Sequence, residues 1–259
     1  MKNVYGRSLA ALCLLGLMVA VAAPAVAQMA ENGKAPMYCY VGEWAIPRAQ
    51  WADMEKANAA DADVLQKALS GGSLVGYGSD DNLIHQADGP THDSWWCATS
   101  MAGILGVLDT FYTNGSTASP VLASATKHWD NILVSRYYNW HAGTMKNGYT
   151  HGAVYKLKAD APEDALDTLA KTAIVPMMEK LLSNGTIAEY EIDQESIHTS
   201  APGLFFIFYL TPTADGLDKA SKALQDTLKA NPLIGPAFDS VVDFTAHRDY
   251  LDRTTATYK

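Results

Sequence analysis

The feature that most constrains this chain is a repeat. Residues 67–85, KALSGGSLVGYGSDDNLIH, recur without a gap as 180–198, KLLSNGTIAEYEIDQESIH, at an offset of 113. Eight of the 19 aligned positions are identical: Lys67/Lys180, Leu69/Leu182, Ser70/Ser183, Gly72/Gly185, Tyr77/Tyr190, Asp80/Asp193, Ile84/Ile197 and His85/His198. Average composition would give about one or two matches. The chain therefore reads as a duplicated unit.

Hydrophobic periodicity gives each copy the same element order. In the first copy, residues 38–46 read as a strand that Pro47 ends. Residues 48–70 read as a helix stopped by Gly71-Gly72. Strands over 73–79 and 94–100, a helix over 101–113, a short helical or irregular connection over 120–130 and a strand over 131–140 follow. In the second copy the strands are 152–159, 186–193, 203–211 and 240–248, and the helices 163–183 and 215–229. Pro176 is expected to kink or split the first of these helices. The order β-α-β-β-α-β in each copy is the ferredoxin-like motif, and the fold class is α+β. The divisions expected are a leader over 1–27, an extension over 28–37, repeat 1 over 38–141, a linker over 142–150, repeat 2 over 151–251 and a frayed tail over 252–259.

The run LFFIFYL in 203–211 is apolar on both faces. A strand of that kind is buried on both sides, yet the helices of a ferredoxin-like unit cover one face only. The sheet of the other copy is the available cover. Two antiparallel sheets packed in this way make a barrel with its helices outside. In element order and duplication the chain resembles the dimeric α/β-barrel superfamily in a fused, single-chain form, over nearly the whole length after the leader. That superfamily includes antibiotic-biosynthesis monooxygenases, stress-responsive barrel proteins, EthD-like proteins and, among haem users, relatives of chlorite dismutase. The resemblance implies ligands inside the barrel or between a sheet and its helices. It carries no motif from which catalytic residues transfer.

The first 27 residues look like a secretory leader: Lys2 and Arg7, an apolar Leu9–Val21, and Ala25-Val26-Ala27 before Gln28. Periplasmic or secreted location is the expectation, with no membrane association once the leader is cut. The formal charge of −9 disfavours nucleic acid as a partner. Cys39 and Cys97 lie on neighbouring strands of the first copy. A disulfide between them is possible, but two buried thiols are the favoured reading. Phosphate-binding glycine loops, H-E-x-x-H and EF-hand loops are absent from the sequence.

Candidate site residues follow from polar positions on strand faces that should be buried. Glu43 and Lys156 align at the repeat offset and could line a cavity as a pair, or stand in solvent near strand ends. His85 and His198 follow the second strand of each copy; they read as a metal pair, an acid–base pair or, preferably, inherited packing. The segment Thr91–Cys97 has no counterpart in the second copy. There His92, Ser94 and Trp96 share a face, with Trp96 as an aromatic platform; a hydrolase triad is excluded because adjacent strand residues face opposite ways. On the fourth strands, Arg136, Tyr138 and Trp140 are expected on one face, with Tyr138 equivalent to His247. His92, His85 and Tyr138 are the catalytic candidates. Glu43, His92, Trp96, Arg136, Tyr138, Lys156 and His247 are the ligand-binding ones, and no metal site is expected. The reading that results is a small-molecule binder for an aromatic or apolar compound, with oligomers possible. The alternatives are a cofactor-light monooxygenase or isomerase, or a barrel with a histidine-ligated haem. No cofactor is predicted.

Overall fold

The computed structural model describes residues 34–200 and 202–259; the leader-like segment lies outside the described residues. The first unit runs β1 (Met37–Trp44), α1 (Trp51–Ser70), β2 (Gly76–Asn82), β3 (His92–Ala98), α2 (Met101–Asn114), α3 (Pro120–Ala123) and β4 (His128–Trp140). The second runs β5 (Thr144–Leu157), α4 (Ala165–Leu169), α5 (Val175–Ser183), β6 (Glu189–Glu195), β7 (Leu204–Thr211), α6 (Ala214–Ala230), α7 (Ile234–Val241) and β8 (Val242–Tyr258). The eight strands close in the order β1-β3-β2-β8-β5-β7-β6-β4. Each unit supplies an antiparallel ferredoxin-like sheet, and the pairs β2–β8 and β4–β6 join the two sheets into one barrel. This is the dimeric α/β-barrel fold within a single chain.

The repeat is visible in side chains as well as in backbone. Tyr77 Oη donates to Gln66 Oε1 at 3.0 Å, and Tyr190 Oη donates to Glu179 Oε1 at 2.6 Å. Both the tyrosines and their helix partners are separated by the same 113 residues. Gly72 and Gly185 both end their helix in the left-handed region, at φ 75° and 73°, where a side chain would be strained. In the second unit a π-helical turn, Ala170–Ile174, joins α4 to α5 just before Pro176. The proline has no N–H to give, and the wider turn absorbs its ring.

Alternation on β7 confirms the two-sided burial. Phe205, fully buried, packs with Leu166, Met178, Leu182 and Ile187 beneath the second unit's helices. Phe206 and Phe208 turn into the barrel. Two boundaries move. The expected linker over 142–150 is mostly the first half of β5, and the expected tail over 252–259 is the second half of β8 with Lys259. The threonine-rich run Thr254–Thr257 suits a pleated strand and has ladder partners on both sides, in β5 and β2.

Candidate functional site

Strand β3, whose residues have no sequence match in the second copy, has a cavity on each of its faces. Its inward residues Asp93, Trp95 and Cys97 line a chamber inside the barrel, about 160 Å³ in volume. Its outward residues Ser94 and Trp96 line a cavity of about 460 Å³ between the first sheet and α1 and α2.

The outer cavity is walled by aromatic rings. Tyr40, Trp44, Tyr77, Trp96, Phe111 and Tyr258 all border it. Trp96 is stacked on Tyr40 with centroids 4.3 Å apart, meets Phe111 edge-on, and is fixed by donating Nε1–H to the Ile104 carbonyl at 3.0 Å. Polar groups stand at its edge. Tyr40 Oη hydrogen-bonds to Asp130 Oδ1, and the same oxygen lies 3.0 Å from His128 Nε2. Burial, followed by the bond to Asp130, holds the Tyr40 phenol well above its usual range. His128 in turn stacks on Trp44 at 5.1 Å, which lies over Gly42; a Cβ there would stand 2.6 Å from the ring.

The barrel chamber is lined by seven carboxyl groups: Glu43, Asp80, Asp93, Glu189, Glu191, Asp193 and Asp252. They reach it because strands alternate. Glu189, Glu191 and Asp193 are successive inward positions of β6, while Tyr190 and Ile192 pack under the helices. One cation answers them. Lys259 Nζ pairs with Glu189 Oε1 and lies 3.0 Å from Glu191 Oε1; its side chain is only 2% exposed. The ammonium sits 4.7 Å from the Trp95 ring and 4.7 Å from the Trp140 ring, a geometry that favours a cation. Three of the other acids have neutral donors: Trp95 Nε1 to Asp80 at 2.9 Å, Asn131 Nδ2 to Glu43 at 3.1 Å, and Asn82 Nδ2 to Asp252.

Most of these acids resist ionisation. Burial raises Glu43 to about 7. Burial and then the charge of Asp80 raise Asp252 to about 7. Asp93 is pushed well up by burial and by Asp80, Asp252 and Glu43, and Asp193 by burial and Glu191. Glu189 and Glu191 share Lys259. Burial raises Glu189; at Glu191 burial also pushes upward, but the Lys259 charge together with hydrogen bonds from Glu189 and Lys259 outweighs it and lowers the group. Lys259 is raised because the two glutamates overcome its burial.

The expected thiols form a disulfide instead. Cys39 and Cys97 are direct partners across β1 and β3, both face inward, and their sulfurs are 2.04 Å apart. Glu191 Oε2 lies 3.9 Å from Cys39 Sγ; this is a contact only, because a disulfide sulfur has no hydrogen to donate.

The other sequence candidates do not converge on one site. Glu43 is in the chamber, but Lys156 is not among its lining residues and stands across from Asp243 of β8. Trp96 walls the outer cavity. His92, 2% exposed, lies beyond that cavity, 2.8 Å from Thr91 Oγ1 and 3.6 Å from Asp81 Oδ1, with burial lowering its pKa. His85 is exposed against Trp51, and His198 is exposed. Arg136 and Tyr138 do not share a face, contrary to the strand pattern. A β-bulge between Ser135 and Tyr137 inserts an extra residue, leaving Arg136 exposed while Tyr138 packs with Met37, Cys39 and Cys97. His247 sits away from the chamber, stacked on Tyr155 at 4.4 Å, with Nδ1 3.0 Å from the Val154 carbonyl.

Among the described residues, the chamber's lining is acidic and holds no histidine, and the outer cavity's lining holds His128, which is engaged by Asp130.

With the fold placed as a dimeric α/β barrel, solved structures of similar shape can be set beside it. A candidate monooxygenase from Lactobacillus acidophilus NCFM superposes with a TM-score of 0.65 at 10% identity, over 87% of this chain and 97% of its own. One from Fusobacterium nucleatum gives 0.60 at 9%, over 88% and 96%. A candidate chlorite dismutase gives 0.50 at 9%, over 85% and 94%. At these identities the likeness is one of fold. No family profile matches the sequence, and no curated protein matches it.

Proposed function

We propose that this chain is a ligand-binding barrel that takes up a compact, largely aromatic molecule in the outer cavity of its first unit. The observation that carries the reading is an asymmetry between the copies. Around Tyr40, Trp96 and Tyr77 the space between sheet and helices is open. In the second unit Leu166, Met178, Leu182 and Phe205 pack into one cluster between sheet and helices. Stacked and edge-on aromatic walls suit a flat apolar ligand, and Ser94, which donates to Asn58 at 3.0 Å, supplies a polar contact on the cavity wall. Export belongs to the same proposal. It rests on the leader-like N-terminus and agrees with a disulfide, which an oxidising compartment permits.

The test uses 1-naphthol as probe and intrinsic tryptophan fluorescence as readout, since Trp44 and Trp96 border the cavity. Saturable quenching is expected, weakened at least tenfold by Ala62→Phe, which fills the space from α1. Equal quenching of the two proteins, both shown to melt cooperatively, refutes the reading.

A second reading is favoured by the Tyr40–Asp130–His128 chain and by the candidate monooxygenases of similar fold: oxygenation of a phenolic or anthrone-like ligand without a cofactor. His128, oriented by Asp130, would take the substrate proton. One oxygen atom would enter a CH₂ carbon as a carbonyl and the other would leave as water with its two hydrogens. Oxygen uptake with bound anthrone, whose ring CH₂ the step consumes, abolished in His128→Ala without loss of binding, is the outcome this reading requires.

A further inference from the structure

The barrel chamber is a second, independent site, and its chemistry is that of a receptor for cations. Seven carboxyl groups line it, and the Lys259 ammonium pairs with two of them, Glu189 and Glu191. Asp193 is the telling residue. It is 1% exposed, it lines the chamber, and neither carboxylate oxygen has a hydrogen-bond partner among the described residues. The neighbouring Ser135 hydroxyl is directed at the carbonyls of Tyr137 and Ile192, 3.2 Å from each. A buried acid without a partner is costly, and a ligand that brings a donor removes that cost.

A metal ion is the wrong occupant. Among the described residues, the only group of three or more potential ligands within 4.8 Å of one another is Cys39, Cys97 and Glu191, and its sulfurs are bonded to each other. The carboxylates are instead strung along the barrel. Glu189, Glu191 and Asp193 follow β6, and Asp80, Asp93, Glu43 and Asp252 gather on the other sheet's strands and β8. Val41, Leu133, Phe206, Phe208 and Leu210 supply apolar wall to the same chamber. Such spacing suits charges at the two ends of an apolar chain. The protein already holds one such group, since the Lys259 side chain is a four-carbon amine lodged between two indoles and two glutamates.

We propose that the chamber binds a short linear aliphatic diamine, one ammonium meeting Asp193 and the other the Glu43–Asp93–Asp252 group, with the methylenes along the phenylalanines. The raised acids give this a signature: an ammonium arriving beside them expels protons.

Isothermal titration of the full folded chain with 1,4-diaminobutane tests it, using 1,4-butanediol and n-butylamine as controls and calcium as the competing metal. The diamine is expected to bind at least tenfold more tightly than the monoamine and measurably where the diol does not. The heat should vary with the buffer's ionisation enthalpy, as proton release requires. Asp193→Asn and Glu43→Gln should each weaken diamine binding tenfold or more. Diol binding equal to diamine binding, undiminished affinity in both variants, or displacement of the diamine by micromolar calcium overturns the proposal. The 1-naphthol experiment reads a different cavity, so each site can fail alone.

Discussion

Replacing Asp252 by asparagine tests the electrostatics of the chamber most directly. Asp252 is buried beside Asp80, with Asn82 Nδ2 donating to it, and titrates near 7 in the fold against 3.8 when free. An acid raised by folding favours the folded state fully below its unfolded value. That stability is lost as pH rises through the folded value, because the unfolded chain gives up its proton first. Each pH unit inside the window is worth about 1.4 kcal/mol. From pH 5 to the folded value the wild type therefore loses ~3 kcal/mol. Asparagine, neutral at every pH and still able to accept from Asn82, loses none of it. For a domain of this size ~3 kcal/mol corresponds to about 6–12 °C in melting temperature. Asp80, Asp93 and Asp252 titrate together, so the slope belongs to the cluster and the substitution removes one proton from it. The lead of the variant over the wild type should widen by about 6–12 °C between pH 5 and pH 8, measured by circular dichroism at matched ionic strength. His92 and His151, lowered by burial, act in the opposite sense below their free value but are common to both proteins and cancel. A constant offset across that range, or a wild type that gains on the variant as pH rises, refutes the argument.

Two further outcomes follow from packing. The Cys39–Cys97 bond spans 58 residues, for which loop-closure entropy predicts about 4 kcal/mol; reduction, or the double serine variant, should lower the urea midpoint accordingly, and an unchanged midpoint contradicts it. Gly152 lets the Phe208 ring lie against the backbone, since a Cβ there would stand 2.5 Å from a ring carbon; Gly152→Ala should destabilise by ~1–3 kcal/mol in the same assay.

The architecture was legible because duplication and two-sided burial are written in the order of residues. The repeat gave the pseudo-twofold relation that Tyr77–Gln66 and Tyr190–Glu179 confirm. LFFIFYL required a second sheet. The site was less legible. A face assignment made by alternation fails wherever a bulge intervenes, and one extra residue near Arg136 separated it from Tyr138. The chamber acids did leave a signal: EYEIDQE places an acid at every other position of β6. Charges at period two would ordinarily mark a solvent face, since hydrophobic-in, polar-out is the common arrangement for a half-covered sheet. Only barrel closure turns that face inward, and closure depends on β2–β8 and β4–β6 contacts that no local pattern encodes. Lys259 was missed for the same reason, because an apparent tail becomes a strand only when β2 and β5 are there to pair with it.

Stability alone does not account for such an interior. Buried charges gain from their partners roughly what they lose in desolvation, and well-packed apolar residues of the same shape are often neutral or more stable. Phe206, Phe208, Leu133 and Val41 show that the same chamber accepts apolar side chains readily. Among the acids at its other positions, Glu43 and Asp252 hold protons near neutrality that a leucine or methionine would make unnecessary. Asp80 and Asp193, equivalent in the repeat, both point inward, so the acidic interior belongs to the duplicated unit itself. The outer cavity opens in the first copy. β3 is where the two meet. Asp93 and Trp95 serve the chamber, and Ser94 and Trp96 serve the cavity. A one-residue slip of that strand would exchange every one of those side chains between the two. The register of β3 against β1, fixed covalently by Cys39 and Cys97, is therefore the element on which both sites depend.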